Sequence, residues 1–448
     1  MAVLAAALVG FGMKAGIVPL HFWLPEAHAA APSHVSALMS GVVIKMGIYG
    51  LLRVSVLMGV PPAWWGWLLL SVGAASGVLG VVWALAQHDV KRLLAFHSVE
   101  NIGLILLGVG AGCLGLAYGH PVVALFGFSG AVLHTLNHAL FKSLLFLGAG
   151  SMTHATGTRE IDRMGGLARP MPVTAFTFLI GSAAIVGLPP LNGFVSEWLV
   201  VRALLHAGLS ASPARLAVLG VAVVGLIGGL ALACFAKVVG VVFLGTPRDG
   251  RVPAAHESPS GVTAPLVALA AACTAIGLLP VLVVPPVLRV GALLAGTPVA
   301  AVWPPGGDPA VRIATVFALT VTVAVIVLWR AEAWWSARGG RAAVETWGCG
   351  YEAPTPRMQY TASSFAAPLL AAYHGVTGLR THRTAAALAT HAEDPMLDGV
   401  VVPVWHAIAS AARTLRPLQR GRLSLYLGYV VAALVAVLGY LMLTGRAS

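Results

Sequence analysis

The chain has 448 residues, is 58% hydrophobic and only 9% charged, and has a mean hydropathy of +0.88. Soluble domains carry about 25% charged residues, so this composition excludes them and indicates a polytopic α-helical membrane protein. The apolar runs are continuous and exceed the ~10-residue alternating segments of a transmembrane barrel. The net charge of +12 reads as helix-flanking topology information, not as nucleic-acid binding.

A helix needs about 20 apolar residues to cross a bilayer. Ten membrane segments are expected on that measure, at 2–18, 36–58, 64–87, 91–112, 120–150, 171–206, 214–244, 262–290, 310–332 and 423–444. No basic n-region opens the chain, so a cleaved signal peptide is not expected. Segment 171–206 is too long for one straight span and contains Gly-Leu-Pro-Pro-Leu-Asn-Gly-Phe at 187–194. Two prolines remove two backbone donors and glycine permits unwinding, so the helix is expected to break there. Lys14-Ala-Gly-Ile-Val-Pro19 predicts a similar interruption in the first segment. Broken helices in corresponding places of two halves are a trace of transporter repeats. The expected fold is all-α, with about ten transmembrane helices, one and by this pattern two of them broken.

Positive charge gives the orientation. Loops 88–92, 151–170 and 245–261, with the stretch 330–422, hold seventeen of the twenty-seven basic residues, whereas 59–63, 113–119, 207–213 and 291–309 hold none. The first set is therefore expected on the cytoplasmic side. Residues 333–422 break the hydrophobic pattern, and within them 398–422 carries Val401, Val404, Ile408, Ala411, Leu415 and Leu418 at helical spacing. That spacing predicts an amphipathic helix lying along a membrane surface or partner subunits, with a plain cytoplasmic loop as the alternative. Five parts follow: 1–58, 59–246, 247–332, 333–422 and 423–448.

Four widely spaced cysteines (Cys113, Cys234, Cys273, Cys349) without a C-x-x-C pair argue against an iron–sulfur cluster, a structural zinc or a disulfide framework. Gly110-Ala-Gly-Cys-Leu-Gly115 spells a dinucleotide fingerprint but ends an apolar helix instead of following a strand. No cofactor or metal is expected in this polypeptide.

The chemistry is expected to lie in the lysines. Only five occur against twenty-two arginines, and Lys14, Lys45, Lys142 and Lys237 fall inside apolar segments. A charge at mid-membrane costs at least ~2.5–3.5 kcal/mol on insertion scales, so such residues usually face a polar interior. Arginine keeps its proton in a protein, whereas a desolvated lysine can lose one. Snorkelling to the headgroups is the competing reading, strongest for Lys237. His134, His138 and Lys142 are spaced i, i+4, i+8, one stripe with ~6 Å between steps. The stripe reads as a proton relay, with metal binding and packed neutral histidines as alternatives. A metalloprotease helix would need Glu after the first histidine, and Thr135 stands there. Glu197 follows the predicted break, and Glu100 is a second intrahelical acid expected to pair with a lysine. Asp89, Lys91 and Arg92 read as a loop charge cluster, solvated or topological. His21, Glu26, His28 and His34 read as lining the mouth of the polar interior, with a metal site as the alternative.

Lys14-Ala-Gly-Ile-Val-Pro-Leu-His-x-Trp-Leu-Pro-Glu-Ala-His, Lys45-Met-Gly-Ile-Tyr-Gly-Leu-Leu-Arg, Asp89-Val-Lys-Arg-Leu-Leu-Ala and His138-Ala-Leu-Phe-Lys142-Ser-Leu-Leu-Phe resemble the antiporter-like subunits of complex I, Mrp-type cation/proton antiporters and membrane-bound hydrogenases. The likeness spans residues 10 to about 245. His97-Ser-Val-Glu100-Asn-Ile-Gly, Glu345-Thr-Trp-Gly-Cys349-Gly-Tyr and Pro356-Arg-Met-Gln-Tyr-Thr-Ala-Ser-Ser-Phe resemble the branch that holds the B component of hydrogenase-4 and the membrane subunit of formate hydrogenlyase. The resemblance implies two inverted five-helix repeats, each with a broken helix, of which this sequence carries a remnant. It implies a relay of Lys14 on the first broken helix, Lys45 linking the halves, then His134, His138 and Lys142, and Glu197 on the second broken helix. Glu100, Lys237 and His21 would be accessory, and 398–422 a lateral helix. The family begins with about six helices before the first broken one, and the glutamate that pairs with the Lys14 position has no counterpart here. Those helices are expected to be truncated or supplied by a separate chain.

The function expected is a proton-translocating, or sodium-translocating, multi-pass subunit in the cell inner membrane. Its partners would be the other subunits of a hydrogenase or complex-I-like assembly, where the redox chemistry would occur. An Mrp-type cation/proton antiporter subunit and a non-conducting structural anchor are the alternatives.

Overall fold

The computed structural model describes residues 1–210, 212–248, 254–298, 308–338, 355, 358–373, 379–383, 388–392, 394, 396–416 and 421–444. Among them, eight helices are long and apolar enough to cross a membrane, at Ser33–Leu57, Ala63–Ala86, Val90–Ala117, Pro121–Thr156, Pro213–Val242, Ser260–Leu278, Pro309–Arg338 and Leu423–Thr444. The other two expected segments, 2–18 and 171–206, are helix–break–helix units.

The first unit is α1 (Ala2–Ala15), an irregular turn, and α2 (Trp23–Ala30). Gly16 ends α1 in the left-handed region (φ 78°), and the freed N–H of Val18 donates to Ser76 Oγ at 3.0 Å. The second unit is α8 (Pro172–Ile185) and α9 (Asn192–Ser210), with Gly187 at φ 74° between them. Both breaks thus use a glycine that tolerates positive φ. Unwound backbone is tolerated at membrane depth only where protein or a polar cavity covers it.

Between these units lie α3 (Ser33–Leu38), a π-turn at Met39–Val43, and α4 (Lys45–Leu57), then α5 (Ala63–Ala86), α6 (Val90–Ala117) and α7 (Pro121–Thr156). After α9 come α10 (Leu219–Val242), α11 (Ser260–Leu278), α12 (Pro280–Ala295), α13 (Pro309–Arg338) and α14 (Ala362–Ala371). The expected single segment 262–290 is interrupted at Leu279, because Pro280 cannot continue α11 and starts α12. A two-stranded antiparallel hairpin, β1 (Leu379–Arg383) and β2 (Leu388–Ala392), is a small addition to the expected all-α fold. Within 345–365, residues 345–354, 356 and 357 lie outside the described residues.

Helix α6 is the most enclosed span, with 94% of its apolar window buried. Glycines bring its neighbours to backbone contact. A Cβ on Gly103 would lie 2.4 Å from Gly77 N and 2.5 Å from Gly73 O on α5, and one on Gly115 would lie 2.3 Å from Ala124 N on α7. Small residues permit this approach where no hydrophobic effect drives helices together in lipid. The result is a layer α5–α6–α7 with its polar side chains sealed inside.

The basic loops converge. Asp89 caps α6 by accepting from Lys91 N (2.8 Å) and Arg92 N (3.2 Å) and pairs with Arg159 Nε at 3.0 Å. Lys91 is buried against the carbonyl of Ala31, and Arg92 reaches Glu26 at 2.5 Å. Asp89 and Lys91 are therefore not solvated, and with Arg92 they tie the loops together. Asp162 accepts from the N–H of Ala362 at 2.7 Å and pairs with His88 at 2.8 Å, and Arg248 donates to the carbonyl of Tyr360 at 2.7 Å. Loops 88–92, 151–170 and 245–248 and the start of α14 thus share one face, as the charge asymmetry requires.

Burial pushes the Asp162 carboxyl up, but the hydrogen bonds from His88 and Ala362 outweigh it and hold the group below its ordinary value. A depressed carboxyl contributes stability above its unfolded value of about 3.9, and the contribution is lost as pH falls through the folded value. Asp162→Asn is expected to lower the thermal midpoint at pH 7 in detergent. The gap to wild type should narrow as pH drops below about 4; a gap independent of pH removes this assignment.

The unit Asp394–Ser448 is compact by itself. It holds a π-turn at Leu397–Val401 running into a helix at Val402–Leu415, where the amphipathic pattern predicts one, and the apolar helix Leu423–Thr444. Leu418 lies outside the described residues.

Candidate functional site: a buried track of amines, imidazoles and carboxyls

Lys45 opens α4 one residue beyond the π-turn, only 8% exposed, and its Nζ donates to the carbonyl of Ser40 inside that turn. A π-turn inserts one residue into the helical ladder and often marks a functional position. Ser40 Oγ lies 2.9 Å from Ser98 Oγ on α6, and Ser98 donates to the carbonyl of Leu94 at 3.3 Å. The same carbonyl accepts from Nζ of Lys142 on α7, which is fully buried over the ring of Phe146. Each lysine is thus held by a backbone carbonyl, Lys45 by that of Ser40 and Lys142 by that of Leu94, and the hydroxyls of Ser40 and Ser98 lie between them.

Farther along α7, His138 and His134 are fully buried. Asn101 Nδ2 donates to the carbonyl of His97 at 2.8 Å, which turns its Oδ1 toward His134 Nε2 at 3.1 Å. An amide oxygen only accepts, so the proton of neutral His134 sits on Nε2, and Nδ1 faces Ser196 Oγ at 3.0 Å. Both nitrogens of His134 are thus engaged, which speaks against a His134–His138 metal pair. Among the described residues no group of three His, Cys, Asp or Glu could hold a metal ion. Both nitrogens of His138 are buried without a hydrogen-bond partner among the described residues. Such groups in native proteins are satisfied by ordered water.

Ser196 is the last polar residue before Glu197 on α9, and Asn137 Nδ2 ties this turn to α7 through Ser196 Oγ (2.9 Å) and the carbonyl of Asn192 (2.7 Å). The Glu197 carboxyl is half-buried beside the second break, so close to Gly187 that a Cβ there would lie 2.4 Å from Oε2. The glycine thus serves both the turn and the space for the acid.

The other expected residues lie beside this track or away from it. Glu100 pairs with His97 Nδ1 one turn away instead of with a lysine. Lys237 does not snorkel: it is 1% exposed and donates to the carbonyls of Leu85 (2.7 Å) and Gln87 (3.0 Å) at the end of α5. Lys14 is exposed on α1 and has no hydrogen-bond or ion-pair partner among the described residues, so it stands apart from the buried string. His21 and His28 are fully buried, stacked on Trp83 (4.8 Å) and Phe146 (4.6 Å), while His34 is exposed and Glu26 is held by Arg92. They do not form one lining.

Sequence reasoning missed Ser40, Ser98, Asn101, Asn137 and Ser196. Asn137 shares the α7 stripe, and His97, Glu100 and Asn101 form an i, i+3, i+4 set on α6, signals that could have found them. The serines carry no such signal, because Ser is common where membrane helices pack.

The family described as NADH:quinone oxidoreductase/Mrp antiporter, transmembrane, matches residues 1–226. Hydrogenase-4 component B of Escherichia coli K12 is 38% identical over 470 aligned positions, covering 98% of this chain and 68% of that protein. Formate hydrogenlyase subunit 3 of the same organism is 45% identical over 271 positions, 59% of this chain and 44% of that one. A chain of the archaeal membrane-bound sulfane sulfur reductase shares the fold with a TM-score of 0.70 at 24% identity, over 98% of this chain and 68% of that chain.

Proposed function

The chain belongs to the NADH:quinone oxidoreductase/Mrp antiporter transmembrane family, and from that premise we propose that it is a proton-translocating membrane subunit of a hydrogenase-type or NADH:quinone oxidoreductase-type complex. Its partners are the other membrane and peripheral subunits of that assembly, which carry out the redox chemistry. The observation that carries the reading is the buried polar group of Lys45, Ser40, Ser98 and Lys142, in which the two serine hydroxyls lie between the carbonyls that hold the two lysines.

In this reading Lys45, Lys142 and Glu197 gain and lose protons in alternation. The hydroxyls of Ser40 and Ser98, which both donate and accept, lie between Lys45 and Lys142, and water bridges them to the two amines past the carbonyls. His138 and His134, with water on the free nitrogens of His138, connect Lys142 to Ser196 and Glu197. Glu100 with His97, and Lys237, surround the track and set its charge balance. Amines and imidazoles are proton carriers, whereas hard cations prefer clusters of oxygen ligands, which favours protons over sodium. Lys14 joins the relay only where a neighbouring subunit covers its face of α1.

The test is proton movement into vesicles holding the assembled complex. Proton uptake that starts with the electron donor and needs no sodium is expected. Sodium-dependent proton flux without a donor assigns the chain to cation/proton antiport instead, and electron transfer with no proton movement leaves only an anchor.

A further inference from the structure

A cavity of about 460 Å³ opens beside the basic-loop end of α10, outside the relay. Its walls are apolar toward the helices, where Gly240 of α10 faces Phe365 and Pro368 of α14 across the cavity, and polar at the rim, where Arg248 and Tyr360 stand. Lys237 closes the inner side with its amine already held by two carbonyls. The cavity thus changes from apolar to cationic at the depth where apolar helices give way to the basic loops, which is where headgroups lie.

Arg248 is undercompensated. Its Nη2 donates to the Tyr360 carbonyl, but Nε and Nη1 are buried without a hydrogen-bond partner among the described residues. The nearest acid, Asp162, is 4.0 Å from Nη1 and already accepts from His88 and the Ala362 N–H. A guanidinium presents several donors in a fixed fork that fits phosphate oxygens. Basic pockets between membrane helices on the cytoplasmic side hold anionic headgroups.

We propose that this cavity binds a phosphate diester borne on an apolar tail, an anionic phospholipid, with the phosphate on Arg248 and the first part of a chain against Gly240, Phe365 and Pro368.

The test uses the full chain, exchanged into phosphatidylglycerol or phosphatidylcholine, with bound lipid counted by native mass spectrometry. Two variants are compared: Arg248→Gln removes the fork, and Gly240→Leu fills the cavity at a position where an added Cβ meets nothing within 4 Å. Wild type is expected to retain phosphatidylglycerol over phosphatidylcholine, with retention of the first falling at least about fivefold in each folded variant and the second unchanged. Equal phosphatidylglycerol retention in wild type and both variants overturns the proposal. Soluble glycerol phosphate that displaces phosphatidylglycerol at matched concentration overturns the lipid source and leaves a free-phosphate site.

Discussion

Lys142→Ala is expected to abolish proton translocation by the assembled complex, a loss of about 10²-fold or more, the range of a positioned proton carrier. The amine is fully enclosed, donates to the same Leu94 carbonyl as Ser98, and lies one turn along α7 from His138. Alanine also leaves a cavity, and truncations of long buried side chains cost about 2–5 kcal/mol. Lys142→Met keeps the volume, and Lys142→Arg keeps the charge but cannot release its proton. A relay predicts that all three fail to pump. A merely structural cation predicts that arginine restores activity. Pumping is read as dye quenching in vesicles, normalised to electron transfer by the same sample, and normal pumping by the methionine variant would falsify the assignment.

The second large effect is expected at Glu197. Glu197→Gln keeps the shape beside Gly187 and removes only the titrating oxygen, so the thermal midpoint should scarcely move. No hydrogen bond of the carboxyl to a described residue is lost. Proton transfer should nevertheless fall as far as in the Lys142 variants, because a side-chain amide cannot take up the proton handed along through Ser196. Glu197→Asp should recover part of the rate, since the acid survives with a shorter reach. Full pumping by the glutamine variant removes Glu197 as the terminal group.

The architecture was legible because membrane insertion imposes a coarse pattern: long apolar runs, basic loops on one face, and prolines or glycines where a span must open. The Gly16 and Gly187 breaks were both readable, since few residues other than glycine adopt φ near 75°. The break at Leu279 was not, because an apolar run continues through Pro280 and hydropathy is blind to a change of helix axis. Lys142 and the histidines of α7 stood out as costly residues in oily surroundings. Their connectors did not. Ser40 and Ser98 lie 58 positions apart, and only the fold brings their hydroxyls together. Glu100 was misassigned for a related reason: charge suggested a lysine, but His97 on the same helix was nearer than any.

The wide turn at 39–43 has a consequence for how α3 and α4 are compared. One extra residue shifts the phase of everything beyond it by roughly 100° relative to a continuous α-helix. A helical wheel drawn straight from Ser33 to Leu57 therefore assigns the wrong bearing to every side chain past the insertion. Lys45, two residues past its end, owes its inward compass heading to that slip in winding.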